Sequence, residues 1–158
     1  MKTQMIFPPL VELQNTWLVN IGQIKLGVGP TGEWCFRVGQ RMVTISKPDD
    51  TMPLLPLLEI GRTEFYDHVR RGVQVRPELA EAVRSFPEVL LLKFAFESSV
   101  SDYWPLKAMD WLDLNSDLVS ELRGELRTLQ SQGWVAQRLR QRVDAAVNRC
   151  GEAIFTKR

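Results

Sequence analysis

The sequence predicts an α+β protein, with a small N-terminal antiparallel β-meander packed on a C-terminal layer of five to six α-helices. Three observations carry that expectation. Residues 16 to 46 are rich in Trp, Val, Ile, Phe and Gly, which suit a pleated, half-buried surface. Residues 62 to 150 hold most of the Leu, Ala, Glu and Arg, which suit helices. Pro77 and Pro87 sit where first-turn prolines belong, ahead of apolar periodic stretches. The 158 residues read as a single domain, 1–158, with a β-region at 16–46 and a helical region at 62–150.

In the β-region, Trp17, Val19 and Ile21 alternate with Leu18, Asn20 and Gly22, and Ile24, Leu26 and Val28 continue with the apolar phase slipped by one. A β-bulge at Gly22 would restore one buried face. Gly29-Pro30-Thr31-Gly32 is a turn by composition. A two-residue loop at Gly39-Gln40, with Gly first as a type II′ turn requires, pairs Val38 with Arg41, Phe36 with Val43 and Trp34 with Ile45. The expected meander has about three strands and one wet face.

Lys47-Pro48-Asp49-Asp50 ends the sheet. Pro53 and Pro56 then forbid a regular helix across the greasy connector Met52 to Leu58, which is expected to cross the core. Helices are expected at Thr63 to Arg71 with Gly72 as the stop, at about 77 to 85, and at 87 to 98, the last apolar nearly all round. Another runs from a cap at Ser101 or Asp102 to about Leu114. Ser116 caps the next, striped by Leu118, Leu122, Leu126 and Leu129. Gly133 precedes a final helix striped by Val135, Leu139, Val143, Ala146, Val147 and Cys150, with Gly151 as its stop.

Composition excludes more functions than it suggests. With 44% hydrophobic and 25% charged residues, the chain is neither disordered nor a disulfide scaffold. The net charge of +1 gives no global attraction to nucleic acid. The first fourteen residues lack the form of a secretory signal, because Pro8, Pro9, Glu12 and Gln14 interrupt the apolar stretch. No run reaches the ~18 apolar residues of a membrane span. The expected address is the cytoplasm, with no membrane partner.

No catalytic or metal constellation stands out. His68 is the single histidine; as a general base it would have Asp67 and Tyr66 beside it and Cys35 as a conceivable nucleophile. Adjacent residues on a helix point apart, however, so Asp67 is poorly placed to orient it, and a surface or rim histidine is the plainer reading. Zinc is not expected, because Cys35, His68 and Cys150 lie far apart in sequence. Cys35 falls on the outer face of its strand and Cys150 on an apolar stripe, so both are expected as free thiols. Asp49-Asp50 and Asp110 with Asp113 could attract Mg²⁺, but no phosphate loop accompanies them. Gly27, Gly29 and Gly32 fit no dinucleotide fingerprint, and no cofactor is expected.

Charge stripes carry the binding hypotheses. Arg138, Arg142 and Arg149 fall within about 40° of one another on the last helix. Residues 132 to 158 hold six Lys and Arg against two acids, which invites a nucleic-acid reading. Asp117, Glu121 and Glu125 form an opposite stripe on the preceding helix. In an antiparallel hairpin, Asp117 would meet Arg149, and Glu125 would meet Arg138 and Arg142, so the basic stripe is expected to be consumed inside the fold. That leaves Asp102, Asp110 and Asp113, which share an arc of about 80° with Tyr103 alongside, as the spare surface for a basic protein partner. Trp104, Ala108, Trp111 and Leu112 take the far, buried side.

The segment Ser101-Asp102-Tyr103-Trp104 through Ala108-Met109-Asp110-Trp111-Leu112 resembles an S-x-Y-W…A-x-x-W-L helix of small bacterial proteins, some of them immunity proteins of polymorphic or contact-dependent toxin systems. The resemblance covers residues 101–112. It implies a non-enzymatic cytoplasmic toxin inhibitor that blocks a cognate basic effector, with Asp102, Tyr103, Asp110 and Asp113 as the partner-binding residues. The alternatives are a small cytoplasmic hydrolase using His68 and a nucleic-acid-binding protein using the C-terminal Arg-rich helix.

Overall fold

The computed structural model describes residues 2–112 and 116–156. The architecture is α+β: a five-stranded antiparallel sheet precedes, among the described residues, seven helices. The chain divides into two compact units, residues 1–88 and 89–158. The change from strand-like to helix-like composition between residues 46 and 62 therefore marks the end of the sheet but not the end of the first unit.

In the first unit the strands are β1 (Thr3–Glu12), β2 (Asn15–Ile21), β3 (Ile24–Val28), β4 (Trp34–Val38) and β5 (Arg41–Thr44), paired in sequence order. The hairpin between β4 and β5 has the expected register, Val38 with Arg41 and Phe36 with Val43, and the Ile45 N–H donates to the Trp34 carbonyl at 3.1 Å. Gly39 takes a φ of 62° at the first turn position, as a type II′ turn demands.

Gly22 is not a bulge. It opens a second two-residue Gly-Gln turn, with a φ of 60°, and Ile21 pairs with Ile24 across it. Residues i and i+3 of such a hairpin share a face, so the turn absorbs the slip in apolar phase. A bulge does exist four residues earlier. Val19 pairs with Leu26 and Trp17 with Gly27, which leaves Leu18 as the extra residue of β2.

The strand β1 was not expected. Pro8 and Pro9 fall where its pairing with β2 is interrupted, between Met5 and Leu10, and β1 lies at the sheet edge, so neither proline removes a needed ladder donor. Leu13 and Gln14 make the turn to β2 with φ of 51° and 72°, both in the left-handed region.

Nor does the sheet have one wet face. Register places Val19, Leu26 and Phe36 on one side, and Trp17, Gly27 and Cys35 on the other. All are buried, Trp17 completely. The Arg37 guanidinium lies 5.4 Å above the Trp17 ring and bonds Glu12 at 3.3 Å, so a cation stem covers apolar surface here. Gly27 makes the close approach possible, since a Cβ there would lie 2.8 Å from the Trp17 Cα. Cys35 is therefore an interior residue.

The proline-rich connector is a run of 3-10 turns over Pro48–Glu59 that buries Leu54, Leu57 and Leu58. The helix α1 (Arg62–Val75) passes through Gly72 without stopping. A Cβ at Gly72 would meet Pro9 at 3.3 Å and Leu18 at 3.4 Å, so this glycine serves helix-to-sheet contact instead. A short 3-10 turn at Pro77–Leu79 leads into α2 (Ala80–Ser85). Trp34, Phe65, Tyr66 and Phe86 form one aromatic cluster, and the Trp34 indole N–H donates to the Ala82 carbonyl at 2.9 Å.

The remaining helices are α3 (Glu88–Glu97), α4 (Tyr103–Leu112), α5 (Ser116–Glu121), α6 (Arg123–Gln130) and α7 (Gln137–Thr156). The leucine stripe of Leu118, Leu122, Leu126 and Leu129 is buried as expected, although the helix carrying it breaks at Leu122 into α5 and α6. Leu139 and Val143 are fully buried on α7, which packs on α4, α5 and α6. Gly151 does not end α7, which continues to Thr156. Asp113, Leu114 and the side chains of Ser116 and Cys150 lie outside the described residues.

The Leu13-Gln14 turn is open to a direct test. Both residues hold a conformation that Asn and Gly adopt cheaply, and Leu13 is exposed. Replacing Leu13→Asn and Gln14→Gly together is expected to raise unfolding stability by about 1 kcal/mol in urea titration.

Candidate functional site

The expected site residues Asp102, Tyr103 and Asp110 are brought together; Asp113 falls outside the described residues. All three line a groove of about 320 Å³ with Leu106, Lys107, Arg138 and Arg142. The first turn of α4 sets the geometry. The Leu106 N–H bonds the Asp102 carbonyl at 2.9 Å and Pro105 is buried, while Ala108, Met109, Trp111 and Leu112 point into the core. That face fixes the helix rotation, so Tyr103 and Asp110 are turned outward. Tyr103 is 46% exposed, stacks edge-on against Trp104, and has the Lys107 ammonium 5.7 Å from its ring.

The ion pairs differ from those the sequence predicts. Arg142 binds Asp110 at 2.9 Å and Arg138 approaches Asp102 at 3.8 Å, so the arginines of α7 meet the acids of α4. Glu125 pairs instead with Lys93 at 3.4 Å. Asp117 and Arg149 are both exposed and enter no ion pair among the described residues. The polar link that does join α6 to α7 runs from Gln130 to Asp144. The α4 acids are therefore not a spare anionic surface; they form one wall of a groove whose other wall is cationic. Arg142 also donates to the Leu106 carbonyl at 3.4 Å, which holds its guanidinium across the groove.

His68 also departs from expectation. It is buried, 6% exposed, and its Nε2 lies 2.8 Å from the Leu18 carbonyl oxygen. With Phe65, Val69 and Gly72 it completes the i, i+3, i+4, i+7 inner face of α1, a periodicity visible in the sequence. Asp67 bonds Arg70 at 3.2 Å rather than His68. Sequence reasoning missed one further cluster altogether. Arg62 grips the buried Glu88 through two hydrogen bonds and lies 4.8 Å over the Tyr66 ring. Burial, then the Glu88 charge, raises the Tyr66 phenol above its ordinary range.

Among the described residues, no group of three or more His, Cys, Asp or Glu is placed to hold a metal ion, and no helix is long and apolar enough to cross a membrane. No protein-family model matches the chain, and neither does any curated protein or solved structure.

Burial, and secondarily Glu33, pushes the Cys35 thiol up to about 11. Its folded form keeps the proton while the unfolded thiol ionises, so the stabilisation is complete below pH 9 and is lost as pH rises towards 11. Relative to Cys35→Ala, wild-type stability is expected to fall by up to about 1.4 kcal/mol per pH unit across that window, measured by urea unfolding. A difference independent of pH would contradict the burial of the thiol.

Proposed function

We propose that the chain is a non-enzymatic protein-binding module, an inhibitor of the immunity type that docks a cognate effector through the groove between α4 and α7. The observation that carries this reading is the placement of Tyr103. An exposed aromatic stands at the mouth of a groove whose walls carry Asp102 and Asp110 on one side and Arg138 and Arg142 on the other. Tyr and Arg are the side chains that most often dominate binding energy at protein interfaces. The flanking charges give orientation and association rate.

The pairing inside the groove changes the partner chemistry. A uniformly basic effector would meet Arg138 and Arg142 as well as the carboxylates. The surface that fits instead presents alternating charges, exchanging with pairs that are individually weak. Exposed ion pairs contribute only ~0.2–1 kcal/mol, so the 3.8 Å contact of Arg138 with Asp102 opens at little cost.

The test uses the product of the gene adjacent to this chain's own, expressed and titrated by calorimetry against the full-length protein. Tyr103→Ala is expected to raise Kd at least about tenfold, and Asp110→Ala with Arg142→Ala to slow association and flatten its salt dependence. Circular dichroism should be unchanged in both. Binding insensitive to both variants would overturn the assignment of the groove, and the absence of any complex would overturn the inhibitor reading.

A further inference from the structure

The first unit holds a second concavity, independent of the α4 groove, beside the edge strand β1. It is an open cleft of about 770 Å³, lined by Met5 and Phe7 from β1 and by Thr63, Glu64, Asp67, His68 and Arg71 from α1. That volume lies within the ~300–1,000 Å³ of small-molecule sites. Phe7 is 46% exposed, and the Arg71 guanidinium lies 4.5 Å from its ring, which makes one wall a stacked aromatic and cation.

His68 supplies the polar group. A carbonyl oxygen only accepts hydrogen bonds, so the contact at 2.8 Å with Leu18 fixes the proton on Nε2. In the neutral ring Nδ1 is then an acceptor. It has no hydrogen-bond partner among the described residues, although the side chain is more than nine-tenths buried and lines the concavity. Asp67, next in sequence, is held by Arg70. An acceptor of fixed tautomer thus lines the cleft, beside the apolar Met5 and Phe7 and the charged rim of Glu64, Asp67 and Arg71.

We propose that this concavity binds a small aromatic molecule carrying one hydrogen-bond donor, a phenol or an N–H heterocycle, with its ring against Phe7 and Met5 and its donor on His68 Nδ1. The thioether of Met5 and the Phe7 ring supply polarizable contact area, and the buried His68 acceptor, unlike the exposed carboxylates of Glu64 and Asp67, sets orientation. A ligand of the same shape without the donor leaves that acceptor unpaired, which is the stronger form of discrimination.

The full chain is titrated with 4-ethylphenol and, separately, with 4-ethylanisole, following the Met5 methyl and the His68 Cε1–H resonances by NMR. The phenol is expected to move both resonances with a Kd on the order of 1 mM, and the ether to bind at least about tenfold more weakly. Phe7→Ala, at an exposed position, is expected to weaken the phenol while leaving the ligand-free His68 resonance in place. Equal affinity for the two probes would overturn the role of His68. Failure of the phenol to move either resonance up to its solubility limit would overturn the site.

Discussion

One surplus residue in β2 governs how residues 1–88 are arranged. Leu18 interrupts the ladder with β3, and its carbonyl would be buried beneath α1 without a partner. Leaving such a group unpaired costs about 1–3 kcal/mol. The His68 ring removes that cost by reaching from α1 to the Leu18 oxygen. Because the ring is short and its donor direction fixed, this bond sets the rotation of α1. Phe65 and Val69 are then buried, and Gly72 comes against Leu18 and Pro9. The same bond removes His68 Nε2 from any acid-base chemistry and fixes Nδ1 as the ring's acceptor.

The sequence was informative where a local rule has one solution. The Gly39-Gln40 turn fixes its own register, and apolar meets apolar in it. The leucine stripe of α5 and α6 is legible because helical spacing leaves no other face to bury. It misled where a pattern has two solutions. A phase slip at Gly22 is compatible with a bulge or a two-residue turn, and a glycine with positive φ serves either. Gly72 and Gly151 resemble helix stops, yet both lie inside helices, Gly72 because backbone and neighbouring side chains come close there. The edge strand β1 was hidden by Pro8 and Pro9, which only an edge tolerates, and by a turn built from Leu13 and Gln14 rather than Asn and Gly.

The charged stripes show a different limit. Periodicity places Arg138 and Arg142 on one side of α7 and the acids of α4 and of α5 and α6 on theirs, but says nothing about which helix lies beside which stripe. The crossing of α4 and α7 decides it, and Arg142 is nearest Asp110. Asp102, Tyr103 and Asp110 were recognisable as one surface from helical spacing alone; the arginines opposite them were not. The result is a groove of alternating charge around an exposed aromatic, which suits a protein partner better than a polyanion, since each arginine has a carboxylate in front of it.

The tautomer of His68 measures the central constraint directly. A long-range ¹H–¹⁵N correlation spectrum of the ring, recorded above the ordinary imidazole range, reports which nitrogen carries the proton. A single neutral form is expected, with the proton on Nε2 and an unprotonated Nδ1. A ring protonated on Nδ1, or one averaging between both forms as in free solution, would mean that the Leu18 carbonyl is not held by His68.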